Sequence, residues 1–396
     1  MSPDSKGLAT EADDWNDLVV FCAANNYSDI KVADQHFAEQ LAKLVPVLYV
    51  DPPVSCLTPL RHPRNSGYVA NWRVRRESPG LARVTPVVQP FPSRPGLTEL
   101  TGAFLRKYVR SAVARLGANR VSAVISAWPQ YPVFGACRED IAVYWAQDDF
   151  VGGAALLGFN AQHLDVSEQR IAAAAQFLVA ANPVVADTWR DRGREVILIP
   201  FGADVDAYID VDQAAPPEDV ELDGPVVGFV GQINSRIDLS LLTAVADRGR
   251  SLLLVGPRDP SFAPGSFDAL VQRPNVRWVG PKAFAALPGY FRMIDVGVVP
   301  YGDSPFNRGS FPLKTLEYLA AGRGVVSTNL PATRWLATDL VSIASEPEPF
   351  ADQVDQLLGT AREPDLMRRR REFAAGHSWG ARATEFHEAI LKRRSR

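Results

Sequence analysis

Twelve short runs rich in Val, Ile and Leu recur from one end of the chain to the other, with helical patterns between many of them. In the first half the runs are Leu18–Cys22, Val45–Val50, Val121–Ser126, Ile141–Trp145, Phe177–Ala181 and Val196–Pro200. In the second half they are Val226–Val230, Leu252–Val255, Val276–Val279, Val296–Val299, Gly324–Thr328 and Leu340–Ile343. Most lack polar alternation, which is how strands covered on both faces read. Helical patterns lie between them, as at Val32–Leu44, Leu239–Arg248 and Leu313–Ala321. Strands alternating with helices build parallel, doubly wound sheets. The expected class is therefore α/β, with two Rossmann-like domains in tandem and a ligand cleft between them.

The break falls at Gly202–Gly224, an acidic stretch with two prolines and no apolar period, which reads as a linker. This places one domain at residues 15–205, a linker at 206–224 and a second domain at 225–375, with a last segment at 376–396. The chain has 396 residues, 46% hydrophobic and 22% charged, which excludes disorder as the dominant state. No run of apolar residues is long enough to span a membrane, and the acidic, polar start is not a secretion signal. Cys22, Cys56 and Cys137 are too few and too scattered for a disulfide framework or a metal motif. A cytoplasmic, reducing compartment is the expectation.

Charge is uneven. Residues 61–120 hold twelve Arg and Lys against Glu77 and Glu99, in a chain of net charge −3. Within this segment Phe104–Leu116 reads as a basic amphipathic helix with Leu105, Val109, Val113 and Leu116 along one side. Such a pattern suits an anionic membrane surface, and it equally suits a helix packed on its own domain. No nucleic-acid module accompanies the charge, so nucleic acid is not an expected partner.

The segment Asn307–Asn329, NRGSFPLKTLEYLAAGRGVVSTN, carries the most chemistry. Ser310 is placed to cap a helix, Pro312 suits its first turn and Gly322 its end. The free N–H groups at Ser310, Phe311 and Leu313, with the positive end of the helix dipole, make an anion site. Lys314 and Glu317 share one helical face, where a cation can offset phosphate charge and a carboxylate can accept ribose hydroxyls. An ordinary surface Lys–Glu pair has the same spacing.

Pro312-Leu313-Lys314-x-x-Glu317-Tyr318-x-Ala320-x-Gly322-x-x-Val325 resembles the donor-site motif of GT-B glycosyltransferases of family 4. Other segments resemble that family in the same order: Tyr49–Pro53, Asn182-Pro183, Ile199–Asp204, Gly228–Gly231, Asn275–Gly280, Leu287-Pro288, Asp295-Val296 and His377–Trp379. The likeness is to members acting in cell-envelope polysaccharide synthesis, of the teichuronic-acid type. It implies a GT-B fold and a last helix crossing back to the first domain. It also implies retaining transfer of a sugar from a nucleotide-sugar donor to a glycan or lipid-linked acceptor, with no metal and no cofactor. Gly309 stands where the family's first glutamate falls, and Gln232 where an arginine is usual, so Arg236 is the candidate for the donor phosphates.

The donor residues expected on this basis are Gly231, Arg236, Ser310, Phe311, Leu313, Lys314 and Glu317. Asp148 and Asp149 follow a strand facing the cleft and are the catalytic candidates, to orient the acceptor or stabilise charge at the anomeric carbon. A helix cap would also account for them. Asn26, in a loop expected to close over the phosphates, and Asp34 and His36 beyond it are candidate acceptor contacts. The pair Asp204-x-Asp206 reads as a junction turn. Gly228-x-x-Gly231 lacks the middle glycine of a dinucleotide fingerprint. A nucleotide-sugar epimerase, or an inactive relative that binds a nucleotide, glycan or protein partner, remains an alternative, as does an anionic-surface binding module. The expected location is cytoplasmic, at the inner face of the membrane if the basic segment docks there.

Overall fold

The computed structural model describes residues 15–29, 31–58, 72–92, 94 and 96–395. Arg61 and Arg64 of the basic segment lie outside the described residues. The first sheet uses β1 (Leu18–Cys22), β2 (Val47–Val50), β4 (Arg75–Ser78), β5 (Leu81–Val84), β7 (Val121–Ser126), β8 (Ile141–Ala146), β9 (Phe177–Ala180) and β10 (Val196–Leu198). Its spatial order is β10-β9-β8-β7-β1-β2-β5-β4, parallel throughout except for the antiparallel edge pair β4–β5. A short ribbon pairs β3 (Val54–Ser55) with β6 (Val87–Val88).

The second sheet uses β11 (Val226–Val230), β12 (Ser251–Val255), β13 (Val276–Trp278), β14 (Ile294–Val299), β15 (Gly324–Ser327) and β16 (Val341–Ile343). Its order, β13-β12-β11-β14-β15-β16, is entirely parallel. All twelve apolar runs are strands, each within two residues of its expected ends. β5 was not among them. It is fully buried, yet Arg83 interrupts its apolar run. That guanidinium is tolerated inside because Asp51 Oδ2 accepts from its Nε at 2.7 Å and Asn26 Oδ1 from Nη2 at 2.7 Å.

Helices α1 (Ala33–Leu41) and α2 (Thr98–Leu116) cover the two faces of the first sheet. The apolar side of α2 is spent there: Leu105, Val109 and Val113 join Leu18, Val20 and Leu48 in one core. That face is not free to enter a membrane: of the two readings of Phe104–Leu116, the structure has the helix packed on its own domain. Leu100 and Phe104 are each 46% exposed on the opposite side. No helix among the described residues is long and apolar enough to cross a membrane.

The linker is packed rather than loose. Tyr208 and Val211 are buried, and Asp212 pairs with Arg323, Arg362 and Arg371. The chain's last helix, Trp379–Arg394, returns to the first sheet, where Phe386 stacks near Phe37 and Trp145 at 4.9 and 5.6 Å. Its entry needs a glycine at 202. A Cβ there would fall 2.6 Å from the Trp379 backbone nitrogen, while Ala203 and Trp379 exchange backbone hydrogen bonds with the facing segment. Asp204 of the junction lies 3.3 Å from His36 Nδ1.

Candidate active site between the two sheets

The loops leaving β8 and β9 at their carboxyl ends meet the second domain at one residue, Ser310. Its hydroxyl donates to Asp148 Oδ1 at 2.7 Å and accepts from Arg236 Nη2 at 3.2 Å. Its carbonyl accepts from Asn182 Nδ2 at 2.7 Å. Asn182 also caps the helix Pro183–Asp191 through Val184 N–H, so one amide serves a helix and the seam between domains. Arg236 is held on its other side: Nε donates to Asn307 Oδ1 at 2.8 Å, and the guanidinium lies over Tyr301 and Phe306 at 4.5 and 5.0 Å.

The expected cap at Ser310 is therefore corrected. The helix spans Leu313–Ala320, and Pro312 is its N-cap, with no side-chain capping bond. Ser310 stands two residues before Pro312, and its hydroxyl is engaged by Asp148. The helix still presents N–H groups without intrahelical acceptors, at the positive end of its dipole. Phe311 is expected at the donor through its backbone N–H. Its ring is buried against Phe201 and Trp335, so only its backbone can face a ligand. Leu313 is half-buried at the first turn. Lys314 Nζ contacts Glu317 Oε2, as the one-face spacing predicts, and Tyr208 of the linker donates to the same oxygen at 3.2 Å. Gly231 ends β11, with its N–H bonded to Val255.

Asp148 is pushed up to about 6, because burial outweighs the Ser310 hydroxyl and Arg236, and Asp149 and Asp34 add to the rise. Asp149 occupies the space beside Gly309. A Cβ on Gly309 would fall 2.4 Å from the Asp149 Cβ, so position 309 admits no side chain while the domains are closed. The Asp149 carboxylate itself accepts from Gly152 N–H at 2.8 Å.

The other expected contacts fall elsewhere. Asp34 is fully buried and accepts from Asn25 N and Nδ2, at 2.8 and 2.9 Å, and from Gln147 Nε2 at 2.5 Å. Asn26 Oδ1 is used by Arg83 and Ser28 N–H, and Tyr27 N–H binds Asp51, so this loop is tied to its own domain. His36 is stacked on Trp379 and pairs with Asp204 at the junction. None of these three side chains lines the cleft at Asp148; Asn25 and Gln147 do. Sequence reasoning missed Asn182, Asn307, Gln147 and Tyr208. Asn182-Pro183 carried a cap signature, but the second use of its amide depends on a contact 128 residues away.

Residues 224–360 match the model of the family described as Glycosyl transferases group 1. A stretch of 162 residues is 36% identical to a protein of Bacillus subtilis (strain 168) named as teichuronic acid biosynthesis glycosyltransferase TuaH. The match covers 40% of this chain and 41% of that protein's length. Among solved structures, sucrose-phosphate synthase from Thermosynechococcus elongatus superposes with a TM-score of 0.70 at 16% identity, over 95% of this chain and 98% of the other. Anabaena HepE in complex with UDP gives 0.65 at 14% identity, over 95% and 100%. An Escherichia coli trehalose-6-phosphate structure bound with UDP-2-fluoro glucose gives 0.66 at 10% identity, over 94% and 98%. The fold is GT-B: two Rossmann-like α/β domains with parallel sheets.

Proposed function

We propose that the protein is a retaining glycosyltransferase, moving a sugar from a nucleotide-sugar donor to a cell-envelope glycan or glycolipid. The observation that carries this reading is the convergence on Ser310. A carboxylate of the first domain and a fixed arginine of the second meet there, one turn before a helix whose N-terminus and Lys314–Glu317 pair suit a nucleoside diphosphate. The glycosyl transferases group 1 match over residues 224–360 supports it, and the relative named for teichuronic acid biosynthesis supports the cell-envelope acceptor.

In this reading Arg236, Lys314 and the helix N–H groups bind the diphosphate, and Glu317 accepts the ribose hydroxyls. Asp148 orients the acceptor hydroxyl, and Asp149 meets hydroxyls of the donor sugar in place of a side chain at 309. The bond from the anomeric carbon to phosphate oxygen breaks, the acceptor oxygen bonds to that carbon, and the leaving phosphate takes the acceptor proton. Closure of the cleft excludes water and protects the donor. Attachment of the basic first-domain surface to an anionic inner leaflet belongs to the same proposal; Leu100, Phe104, Lys107 and Arg110 of α2 are exposed for it.

The test is thermal stabilisation by a panel of nucleoside diphosphates and nucleotide sugars on wild type and Glu317→Ala. The uridine series goes first, because two structural neighbours are recorded with uridine nucleotides. A shift in wild type that is lost in Glu317→Ala supports transferase chemistry and names the base. No shift with any nucleotide favours an inactive binding protein.

A further inference from the structure

A cleft with roughly 1250 Å³ of open space lies at the carboxyl ends of β1, β7 and β8, bounded on one side by Phe306 of the second domain. Its walls include the rings of Phe150, Phe159 and Phe306 and the prolines Pro52, Pro53 and Pro92. Its polar side chains include Asn25, Gln147 and Asp148. No Lys, Arg or His is among the described residues lining it.

Two of them, Asn25 and Gln147, are oriented by Asp34. This buried carboxylate takes the side-chain N–H of both Asn25 and Gln147, at 2.9 and 2.5 Å. An ionised carboxylate can only accept, so each amide must turn its nitrogen toward Asp34. The two carbonyl oxygens accept no hydrogen bond among the described residues, although Gln147 is only 4% exposed. Both amides line the open cleft, where a bound donor can take the place of water on their oxygens. Asp148 adds a third acceptor, since only its Oδ1 is used, by Ser310. Arg236, the nearby cation, is pinned to Asn307 and Ser310 on the second domain's side.

We propose that this cleft is the acceptor site and selects an uncharged polyhydroxylated ring, a neutral sugar residue, against one bearing a carboxylate or phosphate. The inference deepens the transferase reading and rests on it for the word acceptor. Three acceptors require a ligand rich in hydroxyl donors, and the rings and prolines cover its C–H faces. A uronate or sugar phosphate brings negative charge to a site whose described lining holds the carboxylate Asp148 and no cation, with the neutral amide of Gln130 as a side-chain donor. An N-acetylated amino sugar, neutral and with an N–H donor, is accepted by the same rule.

The experiment uses the full chain saturated with UDP. Matched pairs of p-nitrophenyl glycosides, each neutral hexoside beside its uronide, are titrated by calorimetry. At least one neutral glycoside should bind, with its uronide at least about tenfold weaker. Asp148→Asn should narrow that ratio, and Gln147→Lys, which puts a cation in the cleft, should narrow or reverse it. Phe150→Ala should weaken both members equally and leave the ratio intact. Equal or tighter uronide binding overturns the inference, and so does failure of every neutral glycoside to bind. Nucleotide stabilisation is read on the same samples. Its absence, with the neutral preference kept, breaks the transferase reading alone; its presence with a uronide preference breaks the cleft chemistry alone.

Discussion

Asp148→Asn separates what the fold prefers from what the chemistry needs. Burial pushes this carboxyl up to about 6, against the pull of Ser310 and Arg236. An ordinary aspartate titrates near about 3.9, so the folded protein holds the proton more tightly than the unfolded chain. For a carboxyl raised in this way, the stabilising contribution is full at low pH and is lost as pH climbs from about 4 to about 6. A rise of roughly two pH units, at about 1.4 kcal/mol each, amounts to about 3 kcal/mol at neutral pH. Asp148 is partly exposed, which discounts this to about 1–2 kcal/mol. Asparagine keeps an oxygen to accept from Ser310 and removes the charge. The variant should therefore be more stable than wild type by about 1–2 kcal/mol at about pH 7.5, and by clearly less at about pH 4.5. Urea unfolding of the nucleotide-free proteins at both pH values, with slopes compared, reads this directly. Transfer activity should fall in the same variant, as expected where a site is retained at the expense of stability. A variant less stable at about pH 7.5, or one shifted equally at both pH values, would refute the reasoning by making the Arg236 attraction dominant over burial.

Other perturbations test separate parts of the structure. Gly309→Ala puts a Cβ 2.4 Å from the Asp149 Cβ and should cost about 1–3 kcal/mol in urea unfolding. Adding Asp149→Gly should recover part of it, and a coupling below about 0.5 kcal/mol would deny the contact. Arg83→Met leaves Asp51 buried without its partner and should destabilise by about 3–5 kcal/mol; an effect under about 1 kcal/mol means that water reaches the pair. Glu168, 4% exposed and bonded to Tyr144 at 2.6 Å, is pushed up to about 7 by burial. Its contribution is lost as pH rises through that value, so Glu168→Gln should stabilise above about pH 7 and gain little near about pH 4.5.

The β-α alternation was legible because strands covered on both faces must be apolar at nearly every position, a local property. β5 escaped for the converse reason. Arg83 belongs inside only because Asp51, 32 residues away, is there to receive it. The site divides along the same line. Lys314 and Glu317 were legible because helical spacing alone puts them together. Ser310 has the look of a cap in the sequence; in the fold Asp148, 162 residues away, takes its hydroxyl. Asp34 and Gln147 form the hardest case. The sequence offers an acid near the cleft, and an acid near a cleft reads as a ligand contact. Only the fold shows that Asp34 is not in the cleft lining and holds two amides that are. Asp148 and Arg236 are singled out in the sequence by position, but the Ser310 hydroxyl that joins them in the fold is not.

The two rims of the interdomain contact differ in kind, and the difference bears on how the site works. At the junction the contact is aromatic: Phe201 packs on Trp379 at 5.8 Å, and His36 stacks on Trp379 at 6.0 Å and meets Phe284 at 5.3 Å. At the mouth it is polar, made by Asp148 and Asn182 of the first domain on Ser310 of the second. Water competes for polar contacts once a gap opens, so each is worth only about 1 kcal/mol net. Apolar contacts resist separation in proportion to the area exposed. Opening should therefore pivot on the Gly202–Trp379 crossing and part the domains at Ser310. That motion frees the Ser310 hydroxyl from Asp148 beside Arg236 and the first turn of the Leu313–Ala320 helix, the groups proposed for the diphosphate. A donor oxygen that accepts from the Ser310 hydroxyl replaces the bond to Asp148 that opening breaks, so binding and re-closure use the same hydroxyl.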